Sequence, residues 1–215
     1  MSVTPSRNLR DWIAEHLDPL HDTAVAGGQR RSDFDLTPDG WVGAETGPLK
    51  AAGVLIGLVE REEGINVLLT RRSDSLRSHT GQVALPGGRQ DPGEHLWETA
   101  LREAHEEVGL EPSFVDLVGL STPYQTGTGY LITPTVGFVR PGFTLRPNPA
   151  EVADIFETPF GFLMDPANYE EREGRTPSGE MRRFYATTHQ DQYIWGATAG
   201  ILRALYERLY GAALA

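Results

Sequence analysis

The chain has 215 residues, of which 30 are acidic and 19 basic, giving a formal net charge of −11. This balance argues against broad nucleic-acid binding, and the absence of cysteine excludes disulfides, thiolate metal sites and cysteine nucleophiles. The 39% hydrophobic content suffices for a globular core. No segment resembles a secretory leader or a membrane span, so we expect a cytoplasmic protein without membrane association.

The first fifty residues are predicted to form an extension of the main domain. Apolar residues at helical spacing over 8–20 predict an amphipathic helix, whereas 21–50 are rich in Gly, Asp, Pro and Arg and predict a long irregular connection. We therefore divide the chain into an extension, 1–50, and one domain, 51–215. Packing on the core and an oligomer contact are both open roles for the extension, and a homodimer is a candidate assembly.

The rest of the chain alternates strands with two helices. Apolar runs at 51–59 and 65–70 flank a polar turn, which predicts a hairpin. Further elements are predicted as short strands at 82–85, 114–120, 132–139, 182–186 and 192–195, a flexible bend at 121–130, and a terminal helix at 197–210. This pattern indicates the α/β class, with an α/β/α sandwich around a mixed β-sheet.

The central helix carries three carboxylates on one face. Glu103, Glu106 and Glu107 fall at i, i+3 and i+4 with no lysine among them. A divalent cation with oxygen ligands would compensate their repulsion, and an ordinary solvated acidic face is the alternative. The helix is predicted to begin at Asp91 or nearer His95 and to end at a left-handed Gly109, with an apolar stripe of Trp97, Leu101, Ala104 and Val108.

The helix and the loop before it fit one extended spacing pattern, whose fixed positions are Gly88, Glu94, Arg102, Glu103, Ala104, Glu106, Glu107, Gly109 and Leu110. This resembles the Nudix box, the signature of the Nudix hydrolases, with no required position missing. The resemblance implies a Nudix-type fold and hydrolysis of a diphosphate bond that depends on Mg²⁺ or Mn²⁺. It also implies metal ligands, namely Glu103, Glu106, Glu107 and the Gly88 carbonyl.

The residue that accepts the proton of the attacking water is left open by the sequence. Glu103 and Glu106 on the helix are candidates, and so are Glu151 and Glu157 on a later loop. Arg102, four residues after Glu98 and four before Glu106, is predicted to orient the ligand glutamates rather than to contact substrate.

A second motif precedes the box and bears on the substrate. Leu68-Leu69-Thr70-Arg71-Arg72-Ser73 is followed by Arg77, by Gly81 and by Leu85-Pro86-Gly87-Gly88. This resembles the coenzyme A pyrophosphatase branch of the Nudix hydrolases over roughly residues 50–210, except that Leu85 stands where phenylalanine is usual. The resemblance implies cleavage of coenzyme A or its derivatives into 3′,5′-ADP and 4′-phosphopantetheine.

Four arginines are the predicted substrate-binding residues: Arg71, Arg72, Arg77 and Arg89. Guanidinium groups suit phosphate because they donate paired hydrogen bonds in a planar fork. Surface ion pairs are the alternative for Arg72 and Arg89. Two competing functions stay open: a Nudix hydrolase acting on another nucleoside diphosphate derivative such as ADP-ribose, and a non-catalytic Nudix-fold binding module.

Overall fold

The structure is a computed structural model that describes residues 9–20, 30–37, 48–73, 81–175, 179 and 181–211. Its α-helices are α1 Leu9–Glu15, α2 Leu96–Val108, α3 Phe160–Leu163 and α4 Ala197–Tyr210. Its strands are β1 Arg31–Ser32, β2 Lys50–Arg61, β3 Gly64–Arg72, β4 Val83–Ala84, β5 Gly87–Arg89, β6 Val115–Leu120, β7 Tyr124–Gln125, β8 Tyr130–Val139, β9 Val152–Pro159, β10 Glu170–Arg175, β11 Met181–His189 and β12 Gln192–Trp195.

Within these residues, nine strands form one mixed sheet in the order β1-β7-β8-β2-β3-β4, with β5 paired to β2, β6 to β8 and β9 to β3. The predicted hairpin of β2 and β3 is confirmed, with its last pair at Arg61 and Gly64. Strands β2 and β8 run in parallel from the Lys50–Tyr130 pair to the Val59–Val139 pair. Strands β10, β11 and β12 form a second, antiparallel sheet.

Both faces of β2 are buried, which shows that this strand lies at the centre of the molecule. Val54, Ile56 and Leu58 belong to the cluster that includes α1 and α4, whereas Leu55 and Val59 pack with the α2 side chains Ala100, Ala104 and Val108. Uninterrupted apolar sequence in a strand is typical of a sheet covered on both sides. The helices on the two faces confirm the α/β/α sandwich.

The apolar face of α2 departs from the prediction at Trp97. Ala104 and Val108 are fully buried, and Leu101 packs against their cluster, but Trp97 is partly exposed and stacks on His95 with ring centroids 5.6 Å apart. The helix approaches β2 so closely that a Cβ on Gly53 would overlap the Leu96 carbonyl. Small side chains therefore occupy the contact, and an indole has no room there.

Several elements were not predicted from the sequence. Strands β9 and β10 fall in segments without an apolar alternation, and the predicted bend at 121–130 contains β7. The predicted irregular connection at 21–50 contains β1, which pairs with β7. No helix in the described part of the chain is long and apolar enough to cross a membrane.

Candidate functional site

The site begins where β5 runs along the acidic face of α2. The Gly87 N–H donates a hydrogen bond to Oε2 of Glu107 at 3.3 Å. A Cβ on Gly88 would overlap the Glu103 carboxylate. The two glycines therefore allow the backbone of β5 to lie directly beside two carboxylates of the helix.

The ends of α2 fix the rotation of that face. His95 is the N-cap, and its N–H donates to Oε2 of Glu98 at 2.7 Å, so the start nearer His95 is the correct alternative. Gly109 is left-handed, with φ of 68°, which confirms the predicted C-cap. Its N–H donates to the His105 carbonyl at 2.9 Å.

Arg102 organises the exposed edge of the acidic face. Its guanidinium donates to Glu94 at 2.7 Å, to Glu103 at 2.9 Å, to Glu106 at 3.1 Å and to the carbonyl of Arg89 at 3.1 Å. The hydrogen bond from Arg102 lowers the pKa of Glu94 to about 2. Arg102 is therefore placed to orient the carboxylates of Glu103 and Glu106, as predicted. Its third carboxylate partner is Glu94 and not Glu98.

The neighbouring arginines do not fully compensate the burial of the two carboxylates nearest β5, those of Glu103 and Glu107. Burial raises the pKa of Glu107 to about 7, and neither the Gly87 N–H nor Arg72, whose Nη1 lies 4.0 Å from Oε1, offsets that rise. Burial also raises the pKa of Glu103, against the hydrogen bond from Arg102. A cation beside these groups would relieve both the desolvation and the mutual repulsion.

A divalent cation fits this donor set in part. Glu103, Glu107 and the backbone oxygens of β5 are the hard ligands that Mg²⁺ or Mn²⁺ prefers. Across the described ranges, however, no three His, Cys, Asp or Glu side chains are already arranged around a common metal position. Glu106 is 53% exposed and held by Arg102, so it would have to turn toward the other two carboxylates to join a site.

The two later glutamates lie in different surroundings. Glu151 is close enough to Glu103 and Glu107 to raise the pKa of both. Glu157 instead accepts hydrogen bonds from Arg61 and from Asn66, the latter at 3.0 Å. Burial opposes ionisation of Glu157, but these hydrogen bonds outweigh it and leave its pKa below the usual range. The structure therefore brings Glu151, and not Glu157, toward the acidic helix.

A cleft of about 470 Å³ opens beside β5. Arg72, Gly88 and Arg89 line one part of it, so the structure brings these three predicted site residues together. Arg71 lies on β3, opposite Val83 and Asp154, and is not among the lining residues. Arg77 lies outside the described residues. The space is ample for a nucleotide-sized ligand.

The remaining wall of the cleft comes from residues that were not predicted as functional. They include Asp33 of the N-terminal segment, Tyr130 of β8, Arg182 of β11 and Trp195 of β12. Trp195 lies within a stretch that resembles the coenzyme A branch, which offered a clue. Asp33 and Arg182 offered no such clue, because they are far apart in the sequence and come together only in the fold.

The NUDIX domain model matches residues 49–178, more than half of the chain. The chain therefore belongs to the Nudix family.

Among curated relatives, it is 42% identical to the uncharacterized Nudix hydrolase NudL of Photorhabdus laumondii subsp. laumondii over 159 residues, 74% of this chain and 84% of that protein. Its identity to the protein of the same name from Yersinia enterocolitica is 43%, over 74% of this chain and 80% of that one. Among solved structures, RenU, a Nudix hydrolase from M. smegmatis, aligns with a TM-score of 0.47 and 25% identity over 58% of this chain and 81% of that one.

Proposed function

We propose that the protein is a divalent-metal-dependent hydrolase that cleaves the diphosphate bond of coenzyme A or its derivatives. The observation that carries this proposal is the position of Arg72. It lines the cleft with a side chain that is 28% exposed, and its Nη1 lies 4.0 Å from the buried Glu107 carboxylate. A guanidinium exposed at a cleft wall can donate paired hydrogen bonds to a phosphate group.

Mg²⁺ or Mn²⁺ would be held by Glu103 and Glu107, with Glu106 and the Gly88 carbonyl as further oxygen ligands. When bound, the cation would neutralise charge on the diphosphate and acidify the attacking water. Arg102 would hold Glu103 and Glu106 in orientation through its fork of N–H donors. The candidates to accept the water proton are Glu103, Glu106 and Glu151. Glu157 is a weaker candidate because it is paired with Arg61.

The choice of coenzyme A rests on the motif upstream of the box. Arg71 and Arg77 stay the predicted phosphate contacts from that motif, and Arg72 and Arg89 are the two predicted contacts that line the cleft. The relatives named NudL support the hydrolase part of the proposal. The products would be 3′,5′-ADP and 4′-phosphopantetheine. A cytoplasmic location and a homodimer also stay predictions, the second testable by analytical ultracentrifugation.

The test is a substrate panel with product identification. Purified protein with Mg²⁺ or Mn²⁺ is given coenzyme A, dephospho-coenzyme A or ADP-ribose, and the products are separated by chromatography. We expect coenzyme A to be cleaved into two phosphate monoesters. Turnover of ADP-ribose alone would keep the hydrolase and reject the coenzyme A assignment. Binding without turnover of any of the three would favour a non-catalytic Nudix module.

A further inference from the structure

The N-terminal segment 30–37 forms the outer edge of the main sheet next to the cleft. Strand β1 pairs in parallel with β7, placing Arg31 opposite Tyr124 and Ser32 opposite Gln125. The Asp33 N–H then donates to the Gln125 carbonyl at 3.0 Å. This segment precedes the region matched by the family model, which begins at residue 49. Part of the cleft wall therefore comes from outside the region that defines the family.

The carboxylate of Asp33 is fully engaged at that wall. Oδ1 accepts a hydrogen bond from the Tyr124 hydroxyl at 3.0 Å, and Oδ2 accepts one from the Gly127 N–H at 2.8 Å. Nη1 of Arg182 lies 3.7 Å from Oδ2, and the Asp33 side chain is 9% exposed. Carboxylates are seldom buried to this degree unless they are paired and hydrogen-bonded. Asp33 therefore ties β7, the turn after it and Arg182 together.

This cluster lies at the opposite end of the cleft from β5. One row of the sheet runs from Arg89 through Ala52 and Ile132 to Tyr124 and Arg31. Neighbouring strands are about 4.8 Å apart, so three steps place β7 about 14 Å from β5. Arg182 and Asp33 therefore lie in a part of the cleft remote from β5 and from the acidic helix beside it.

We propose that Asp33 is a positioning residue for substrate binding, holding Arg182 and the turn at Gly127 so that the far end of the cleft binds a polar or anionic group remote from the scissile diphosphate. This inference rests on the proposed function. Arg182, which lines the cleft, would contact that group, whereas Asp33 acts through Arg182. Neither side chain lies near the acidic helix, so their influence falls on KM rather than on kcat.

The test is a double-mutant cycle with Asp33→Ala, Arg182→Ala and the double variant. We expect each single change to raise KM for coenzyme A about 10-fold, the scale of one lost charge-assisted hydrogen bond, with kcat changed less than about 2-fold. The KM of the double variant should not exceed the higher KM of the two single variants, because Asp33 acts through Arg182. Asp35→Asn is the matched control in the same segment. The Asp35 carboxylate accepts a hydrogen bond from the Ser32 N–H and does not line this cleft.

Thermal melting of every variant identifies loss of folding, and the Kd of coenzyme A measured by calorimetry without metal gives a second readout. Additive effects on KM, or a folded Asp33→Ala protein with unchanged KM and Kd, would reduce Asp33 to a structural role. If the wild-type protein binds coenzyme A without hydrolysing it, and Asp33→Ala weakens that binding, the proposed function alone would be rejected. A wild-type protein that neither binds nor hydrolyses coenzyme A would overturn both.

Discussion

Glu107 combines a buried position with a role as proposed metal ligand. It is 4% exposed, and burial raises its pKa to about 7, so without a cation the neutral form is well populated near neutral pH. A ligand that must lose a proton couples metal binding to pH. The same residue would therefore destabilise the metal-free fold when ionised and stabilise the metal-bound one.

Glu107→Gln should abolish most hydrolysis while leaving the fold intact. The amide keeps the shape and removes an anionic oxygen, and loss of even a supporting group around a metal commonly costs 10–100-fold in activity. We expect kcat/KM to fall by at least about that factor, together with loss of the rise in Tm on adding Mg²⁺ or Mn²⁺. Glu111→Gln, at an exposed residue paired with His105, is the control. Near-normal turnover in a folded Glu107→Gln protein would remove the metal assignment.

Kinetics can show which phosphate group of coenzyme A each predicted substrate-binding arginine contacts. Charge-assisted hydrogen bonds are worth roughly 1.5–3 kcal/mol, so Arg→Ala at position 71, 72 or 77 should lower kcat/KM for coenzyme A by about 10- to 150-fold. An arginine that binds the 3′-phosphate should matter much less for dephospho-coenzyme A, whereas one on the diphosphate should affect both substrates equally. Arg140→Ala, at an exposed side chain paired with Asp116, is the control. Unchanged kinetics at all three positions would contradict the phosphate assignment.

Glu94 should make stability depend on pH in the acid range. Its pKa is lowered to about 2 by the hydrogen bond from Arg102, so its contribution is complete above the ordinary value near 4.5 and is lost as the pH falls toward 2. Glu94→Gln should therefore lower the free energy of unfolding at pH 7, by an amount that shrinks below pH 4.5. Denaturant titrations at several pH values measure this, with the exposed Glu62→Gln as control. A difference independent of pH would show that Arg102 does not stabilise the Glu94 charge.

Among the secondary-structure elements, the contact of α2 with β2 sets where the carboxylates lie. Gly53 of β2 faces the start of the helix, and the carbonyl of Leu96 together with Thr99 occupies the space where a side chain would be. A change at Gly53 would therefore push the first turn of α2 away from the sheet. Because the acidic face follows the helix as a rigid body, the site would move with it.

Gly53→Ala should reduce both stability and turnover. Overpacking of a filled contact typically costs 1–3 kcal/mol, and displacement of Glu103 and Glu107 should lower kcat. The matched control is Gly161→Ala in α3, where an added Cβ meets no atom within 4 Å. That change should be neutral or slightly stabilising. A Gly53→Ala protein that melts and turns over like the parent would show that the helix tolerates a wider separation from the sheet.

The sequence predicted those elements whose structure is determined by residues close together in the chain. The β2–β3 hairpin, the Gly109 cap and α4 each have a periodicity or turn residue of their own. Strand β10, Glu170–Arg175, has no apolar alternation and exists because β11 pairs with it. The carboxylates of α2 were found by spacing within one helix. The Asp33–Arg182 pair was not, because it joins distant segments and no one-dimensional pattern encodes it.

In the molecule as a whole, α4 fastens the N-terminal region to the sheet. Arg208 donates two hydrogen bonds to the Asp18 carboxylate, at 2.9 and 2.6 Å, and a third to the His16 carbonyl. Asp18 also exchanges backbone hydrogen bonds with Leu120 of β6. A single arginine thus connects α4, the residues after α1 and one edge of the main sheet.

Arg208→Gln should destabilise the protein by about 1 kcal/mol, because a bidentate, partly buried pair is worth more than an exposed one. Arg172→Gln offers the comparison, since its pair with Glu170 is more than half exposed on both sides and should contribute almost nothing. Chemical denaturation of both variants measures the difference. Equal effects would mean that the connection made by Arg208 has no special value.

The parallel pairing of β2 with β8 also constrains the order of folding. The Lys50–Tyr130 pair closes a loop of about 80 residues, and such closure costs entropy before any contact compensates for it. Helix α2 and β5 lie inside that loop, whereas Asp33 and Arg182 lie outside it. During refolding, helical structure should therefore appear early, and the complete cleft only once this pairing has formed. A chain arrested before that step would expose the unpaired edge of β2, which makes late folding the stage at which aggregation is most favoured.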